Sequence, residues 1–256
     1  MILSANRRVF CRDHIEQIVM ALNGHRISSG IDELDLLVEG GFRAGRSYLI
    51  VGEPGTGKTI FGLQFLYKGL LNGEKSLYVA IDEQPAEVIE QAASLGWDLS
   101  PYIEKKAFLI LDASGYINAR AGDNQAKSDM HKIITELNNR IKQTGATRVV
   151  IDPVGPLIFS GESVARVQDQ ARMLFYALKN HAVTTTLVTA HSAGRNVRGI
   201  EEYLVAGTIV LELELASSRF VRTLTLEKMR STTLDPAQYL FKIIPGRGIV
   251  MQQISE

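Results

Sequence analysis

Hydrophobic positions along this chain fall into two alternating rhythms. Short apolar runs bounded by turn residues occur at SYLIVG (47–52), SLYVAI (76–81), AFLILDA (107–113), TRVVID (147–152) and TTLVTA (185–190). Runs of that length read as buried strands. Between them the period lengthens to that of a helix. Ile60, Leu63, Leu66 and Leu70 share one face of residues 59–71, and Met130, Ile133, Ile134, Leu137 and Ile141 one face of residues 129–143. Residues 86–95 and 163–180 read as further helices. Such alternation predicts a mostly parallel sheet flanked by helices on both faces. Ahead of it, Ile15, Ile18, Val19 and Leu22 stand at helical spacing between Asp13 as N-cap and Gly24 as stop, predicting a short amphipathic helix over 13–24. Residues 114–127 (SGYINARAGDNQAK) have no period and read as a surface loop.

From residue 207 the rhythm changes again. TIVLELEL (208–215) and FVRTLTLEK (220–228) alternate with period two around the polar turn ASSR, the pattern of an antiparallel hairpin. YLFKII (239–244) and GIVM (248–251) predict a second small hairpin around Pro245-Gly246-Arg247-Gly248. The expected fold is α/β, a mostly parallel sheet with antiparallel C-terminal strands. No linker or repeat divides it, so the expectation is an N-terminal helical extension (1–25) followed by one domain (26–256).

Composition narrows the classes. The 256 residues are 45 % hydrophobic and 22 % charged, and 28 Lys+Arg balance 28 Asp+Glu. This is globular rather than disordered, and the neutral balance argues against a strongly basic nucleic-acid surface. Charges interrupt the N-terminal stretch and no run of 18 apolar residues occurs, so neither a secretory signal nor a membrane span is expected. The lone Cys11 excludes an internal disulfide and argues against a cysteine metal site. The chain reads as cytoplasmic.

The strongest chemical signal is Gly52-Glu53-Pro54-Gly55-Thr56-Gly57-Lys58-Thr59, a complete G-x-x-x-x-G-K-T, followed by Ile60. Glycines let backbone N–H groups curl round phosphate oxygens, and the helix behind presents its positive end. Lys58 is the candidate for the β- and γ-phosphates and Thr59 for Mg²⁺. A glycine-rich turn with a solvated lysine is the plain alternative; the apolar strand before the motif and the amphipathic helix after it favour nucleotide binding.

Hydrolysis needs a metal-orienting carboxylate and a group that positions water. Asp152 ends the strand RVVID at the sheet edge expected to face the loop, where it is the candidate metal acid; a turn-forming acid is the alternative. Asp82 and Glu83 leave the strand SLYVAI at the same edge, and adjacent side chains leaving a strand diverge. The longer Glu83 is the candidate general base, against a simple helix-capping role for it. His191, ending TTLVTA, reads either as a nucleotide sensor or as a structural histidine.

Taken together, RISSGIDELDLLVEGGFRAGRSYLIVGEPGTGKT, SLYVAIDEQP, LGWDLSPYIEKKAFLILDAS, TRVVIDPV and TLEKMRS resemble the KaiC-type branch of the RecA-like ATPases, over about residues 26–250. The resemblance implies a single RecA-like P-loop domain that binds ATP with Mg²⁺ and hydrolyses it. It further implies a homo-oligomer, typically a hexameric ring with nucleotide at subunit interfaces, acting as a regulatory or signalling switch that would engage a signalling partner. In such rings a K-x-R pair reaches the neighbour's γ-phosphate; here it is Lys228 and Arg230, which leave a strand on the same face. Solvated edge cations are the alternative for that pair. Three departures stand out: Asp82-Glu83 where the family commonly has two glutamates, Ser231 where a glycine usually follows K-x-R, and Tyr203-Leu204 about where clock members carry phosphorylated Ser-Thr.

Two other functions fit the same fold. A RecA-like DNA-binding ATPase would use the loops after the Asp152 and His191 strands, which offer Arg166 and then Arg195 with Arg198. So few cations gain little from counterion release, so nucleic acid is not the expected partner. A nucleotide-gated interaction module with negligible turnover is the other.

Overall fold

The computed structural model describes residues 24–118, 126–158, 164–191, 204–216, 218–234 and 237–252. It opens with a short ribbon, β1 (Arg26–Ile27) antiparallel to β2 (Phe42–Arg43), enclosing α1 (Asp32–Leu37). The body follows as β3 (Ser47–Gly52), α2 (Lys58–Leu71), β4 (Ser76–Ala80), α3 (Pro85–Ser94), α4 (Ser100–Glu104) and β5 (Phe108–Asp112). Next come α5 (Gly115–Asn118), α6 (Ala126–Thr144), β6 (Arg148–Asp152), α7 (Gly155–Ile158), α8 (Val164–Lys179) and β7 (Thr185–Ala190). The strands β8 (Gly207–Ala216), β9 (Arg219–Met229), β10 (Gln238–Ile244) and β11 (Gly248–Met251) complete the order.

One nine-stranded sheet runs β11-β10-β9-β8-β3-β7-β6-β4-β5. From β8 to β5 every neighbouring pair is parallel, and β9, β10 and β11 add antiparallel strands beyond β8. This is the expected α/β arrangement. The central strands read as continuous apolar runs because both faces are covered. Ile50, Tyr78, Ala80 and Val150 face the cluster that holds Phe61 and Phe65 of α2. The residues between them, Leu49, Leu77, Val79, Val149 and Ile151, face the cluster built on α6 and α8, with Met130, Leu137, Leu174 and Phe175.

Residues 114–127 are not one loop. They contain α5 and the first residues of α6, whose opening turn, AKSD, has no apolar stripe to announce it. The ribbon, α1 and α4 are too short to show a period. The helix expected over 13–24 lies outside the described residues, apart from Gly24, which is in a turn. Among the described residues no helix is long and apolar enough to cross a membrane.

A buried ion pair ties the N-terminal segment to the sheet. Arg148, 1 % exposed, grips Glu74 through Nε at 2.9 Å and Nη2 at 2.8 Å. Its Nη1 donates to the carbonyls of Ser28 at 2.7 Å and Phe65 at 2.9 Å, and the guanidinium lies 4.6 Å from the Phe65 ring centroid. Burial raises the Glu74 carboxyl, but Arg148, together with hydrogen bonds from the Thr147 and Asn72 side chains, holds it below its ordinary value. The space for the guanidinium exists because residue 69 is glycine: a Cβ there would come within 2.4 Å of Arg148 Cδ.

Candidate active site

The G-x-x-x-x-G-K-T segment leaves the carboxyl end of β3 and opens α2. Gly57, the residue before the helix, has φ 110°, a region natural only to glycine, and an added Cβ would stand 3.2 Å from Ile243 Cδ1. This turn aims the first N–H groups of α2 into the loop, as anion binding requires. Thr56 closes the loop from inside, its hydroxyl donating to the Glu53 carbonyl at 2.8 Å. Lys58 is buried and folds back on the loop, donating to the carbonyls of Gly52 at 2.7 Å and Glu53 at 2.9 Å. Burial lowers its ammonium pKa, against the carboxylates of Asp152 and Glu53.

Strand order brings the acids to the same cleft. β7 stands between β3 and β6, so Asp152 lies one strand away from the loop rather than on the strand beside it. It is 7 % exposed, and both its carboxylate oxygens are engaged: Oδ2 by the Tyr78 hydroxyl at 2.7 Å, Oδ1 by the Thr189 hydroxyl. The Thr59 side chain hydrogen-bonds the same phenol. Ala80 pairs with Asp152 across β4 and β6, which sets Asp82 and Glu83 directly beyond it. A cleft of about 360 Å³ is walled by Lys58, Thr59, Asp82, Glu83, Asp152 and His191. Pro54, Gly55, Gly57 and Ile60 line it as well.

Glu83 is held by Gln91, whose amide nitrogen lies 3.1 Å from each carboxylate oxygen. Burial raises the Glu83 carboxyl above its ordinary value; the Gln91 amide opposes this, and the charges of Asp152, Glu87 and Asp82 add to it. Asp82 is raised too, first by burial and then by Asp152, with His191 acting the other way. A carboxylate raised by its surroundings holds a proton more readily, as a general base requires.

Several residues that line the cleft or hold Asp152 from behind it carry no sequence signal. Gln91 is one polar residue among several on α3, Tyr78 and Thr189 sit inside apolar runs, and Arg222 is a lone cation at the period-two spacing of Phe220, Leu224 and Leu226 on β9. Arg222 nevertheless reaches the cleft and donates to the Gly55 carbonyl at 3.3–3.4 Å. Only the pairing of β8 with both β3 and β9 discloses it.

Lys228 and Arg230 do not join this cleft within one chain. Gly52 stands on the rung of Leu211, and Leu211 on that of Leu224, whereas Lys228 pairs with Thr208. That is three rungs toward the opposite edge of the sheet, about 10 Å at the rise of a strand. Lys228 Nζ donates there to the Val205 carbonyl at 3.0 Å. Of the arginines weighed for nucleic acid, Arg195 and Arg198 lie outside the described residues, as does Tyr203. Arg166 sits in the first turn of α8, outside the lining of the cleft.

The donor set suits one class of metal. Thr59 and Asp152 offer hard oxygens, and among the described residues no group of three or more His, Cys, Asp or Glu side chains could hold an ion unaided. Mg²⁺ is bound in that way, by one or two protein oxygens completed by phosphate and water.

Comparison with known proteins identifies the family. The family model described as "ATPase: KaiC" matches residues 27–256. A UPF0273 protein of Pyrococcus horikoshii is 32 % identical over 237 residues, 88 % of this chain and 93 % of its own length. The circadian clock oscillator protein KaiC of Thermostichus vulcanus is 33 % identical over 230 residues, but the match covers 44 % of that protein; the chain thus spans less than half the length of the clock proteins it resembles. The crystal structure of a KaiC-like protein from Pyrococcus horikoshii superposes with a TM-score of 0.77 at 31 % identity, covering 89 % of this chain and 99 % of that one. This chain belongs to the KaiC family of ATPase domains.

Proposed function

We propose that this protein is a Mg²⁺-dependent ATPase that assembles into a ring, with each nucleotide cleft completed by a neighbouring copy, and that the ATP and ADP states serve as a regulatory switch for a signalling partner. The observation that carries this reading is a separation. The phosphate loop, Asp152, Asp82 and Glu83 converge on one cleft, while the Lys228-Arg230 pair stands at the other edge of the sheet.

In that cleft Lys58 and the N–H groups of α2 hold the phosphates, and Thr59 and Asp152 hold the metal, which supplies charge neutralisation when bound. Glu83 orients and deprotonates the attacking water, with Asp82 accessory to it. His191, exposed at the rim of the cleft, would sense which nucleotide is bound. Lys228 and Arg230 of the adjacent copy stabilise transition-state charge, as an arginine finger does, by roughly 10³–10⁵ in rate.

Particle mass measured with and without Mg-ATP, alongside hydrolysis, tests the proposal. The expected result is a nucleotide-dependent or constitutive oligomer whose turnover collapses in Arg230→Ala. A monomer under both conditions, with turnover untouched by Arg230→Ala, overturns it.

A further inference from the structure

The segment that follows Lys228-Met229-Arg230 is tied to the far end of the chain. Arg26, on β1, points its guanidinium between two loops, with its side chain 13 % exposed. Nη1 donates to the carbonyls of Val38 and Gly41 at 2.8 Å each, which fixes the arginine to its own loop. Nη2 pairs with Glu39 at 2.5 Å and is shared with the Ser231 carbonyl at 3.3 Å and the Thr232 hydroxyl at 3.1 Å. The second Glu39 oxygen accepts the Thr233 N–H at 2.9 Å. Three successive residues of the loop behind Arg230 are thus held by one ion pair more than 190 positions away in sequence.

Two backbone conformations mark the contact. Glu39 has φ 57° and Ser231 φ 58°, both left-handed and both non-glycine. Such residues persist where their surroundings over-determine them. On the other side of the pair, the Arg230 N–H donates to the Ala206 carbonyl at 2.7 Å and Lys228 Nζ to that of Val205. The Lys228-Arg230 segment is therefore mounted from both sides, by Val205 and Ala206 just ahead of β8 and, through the loop that follows it, by the Arg26–Glu39 pair.

We propose that Arg26 and Glu39 are positioning residues that set how Lys228 and Arg230 project into the cleft of a neighbouring copy. This rests on the reading above that the pair acts in trans. Long flexible cations contribute little to a transition state unless their backbone is fixed, and a displacement of about 1 Å at such a group costs on the order of 100-fold in rate. Arg26 touches none of the phosphate-loop residues of its own chain, so its loss acts on turnover and not on nucleotide affinity. Lysine cannot replace it, because a single ammonium cannot span the carbonyls on one side and Glu39 with Ser231 on the other.

The test is complementation between variants. Arg26→Ala is expected to lower kcat about 10–100-fold at unchanged KM, with the protein folded and its oligomer mass that of the wild type at the assay temperature. Lys58→Ala carries a working mount but a disabled phosphate loop. Mixed and reassembled, the two are expected to hydrolyse ATP faster than the sum of the separate samples, because intact mounts then face intact loops. Arg230→Ala mixed with Lys58→Ala serves as the control for action in trans. If the control complements and the Arg26→Ala mixture does not, or if Arg26→Ala raises KM instead of lowering kcat, the positioning role is wrong while the shared cleft stands. If neither mixture complements, both readings fall. Should Arg26→Ala fail to fold, Glu39→Gln, which removes the charge and keeps the volume, takes its place in the same experiment and is held to the same outcomes.

Discussion

The Tyr78 hydroxyl donates to Asp152 Oδ2 across 2.7 Å, from the strand next to the one that carries the aspartate. Burial first, and then the adjacent Asp152 carboxylate, push the phenol well above its ordinary pKa. It therefore stays a neutral donor and fixes one oxygen of Asp152 while Thr189 fixes the other. For Asp152 in its proposed metal-holding role, losing such an outer partner corresponds to a typical cost of about 10–100-fold in metal affinity. Tyr78→Phe is expected to weaken Mg²⁺ binding by about that factor while leaving metal-free ADP binding unchanged, measured by titration of Mg²⁺ against a fluorescent ADP. Equal Mg²⁺ affinities in the two proteins would show that Asp152 does not need its phenol.

Gln91 bears on the pH dependence of turnover. Its amide favours the ionised form of Glu83, against the burial that disfavours it. Deleting the amide therefore raises the Glu83 pKa further. The acid limb of the kcat–pH profile is expected to move to higher pH in Gln91→Ala, so that activity falls more at pH 5 than at pH 8. An unmoved limb in a folded, active variant would remove Glu83 from the role of base.

Stability in acid follows from Glu74. Its folded-state pKa is lowered relative to the unfolded chain, so the stabilisation it contributes is complete above the ordinary carboxylate pKa near 4.5. It is lost as pH falls through the lower folded value. Glu74→Gln is expected to flatten the fall in Tm below that pH. At neutral pH it leaves the Arg148 guanidinium buried without its counter-ion, at a cost of about 3–5 kcal/mol. Urea melts from pH 3 to pH 7 report both effects.

Arg222 holds the tip of the phosphate loop through the Gly55 carbonyl, by two bonds slightly longer than the usual range. A contact of that kind is worth about 1 kcal/mol, or roughly 5-fold in affinity. Arg222→Ala is expected to raise the dissociation constant for ADP by about that factor with little change in kcat at saturation. An unchanged dissociation constant would leave the arginine without a part in nucleotide binding.

How far the sequence reaches differs between element and site. The strands over 47–52 and 185–190 match their apolar runs residue for residue, and 76–81, 107–113 and 147–152 differ only at their ends. Four of these strands are covered on both faces, and the edge strand over 108–112 is half-buried, so each keeps a continuous apolar run. The phosphate loop is equally legible, because its glycines and lysine are consecutive. Gln91, Tyr78 and Arg222 are not, since each acts on a residue brought near by strand order. Period two also fails once on β9. Over FVRTLTLEK it puts Lys228 on the face of Leu224 and Leu226; instead the register slips between Leu226 and Lys228, and Met229 rather than Lys228 packs into the core.

The amino-acid sequence by itself determined the alternation of strands and helices, the phosphate-binding loop and the acids at the ends of two strands, because each depends on spacing within one segment. Tertiary structure decided which strand lies beside which, and with that everything shared between segments. It sets β7 between the phosphate loop and Asp152, turns Gln91 onto Glu83, and leaves Lys228 and Arg230 on the opposite edge, with Arg26 and Glu39 holding the loop that follows them. The reason is physical. Local periodicity fixes which side of an element is apolar, but many strand orders bury the same faces, and only the packed sheet selects one of them.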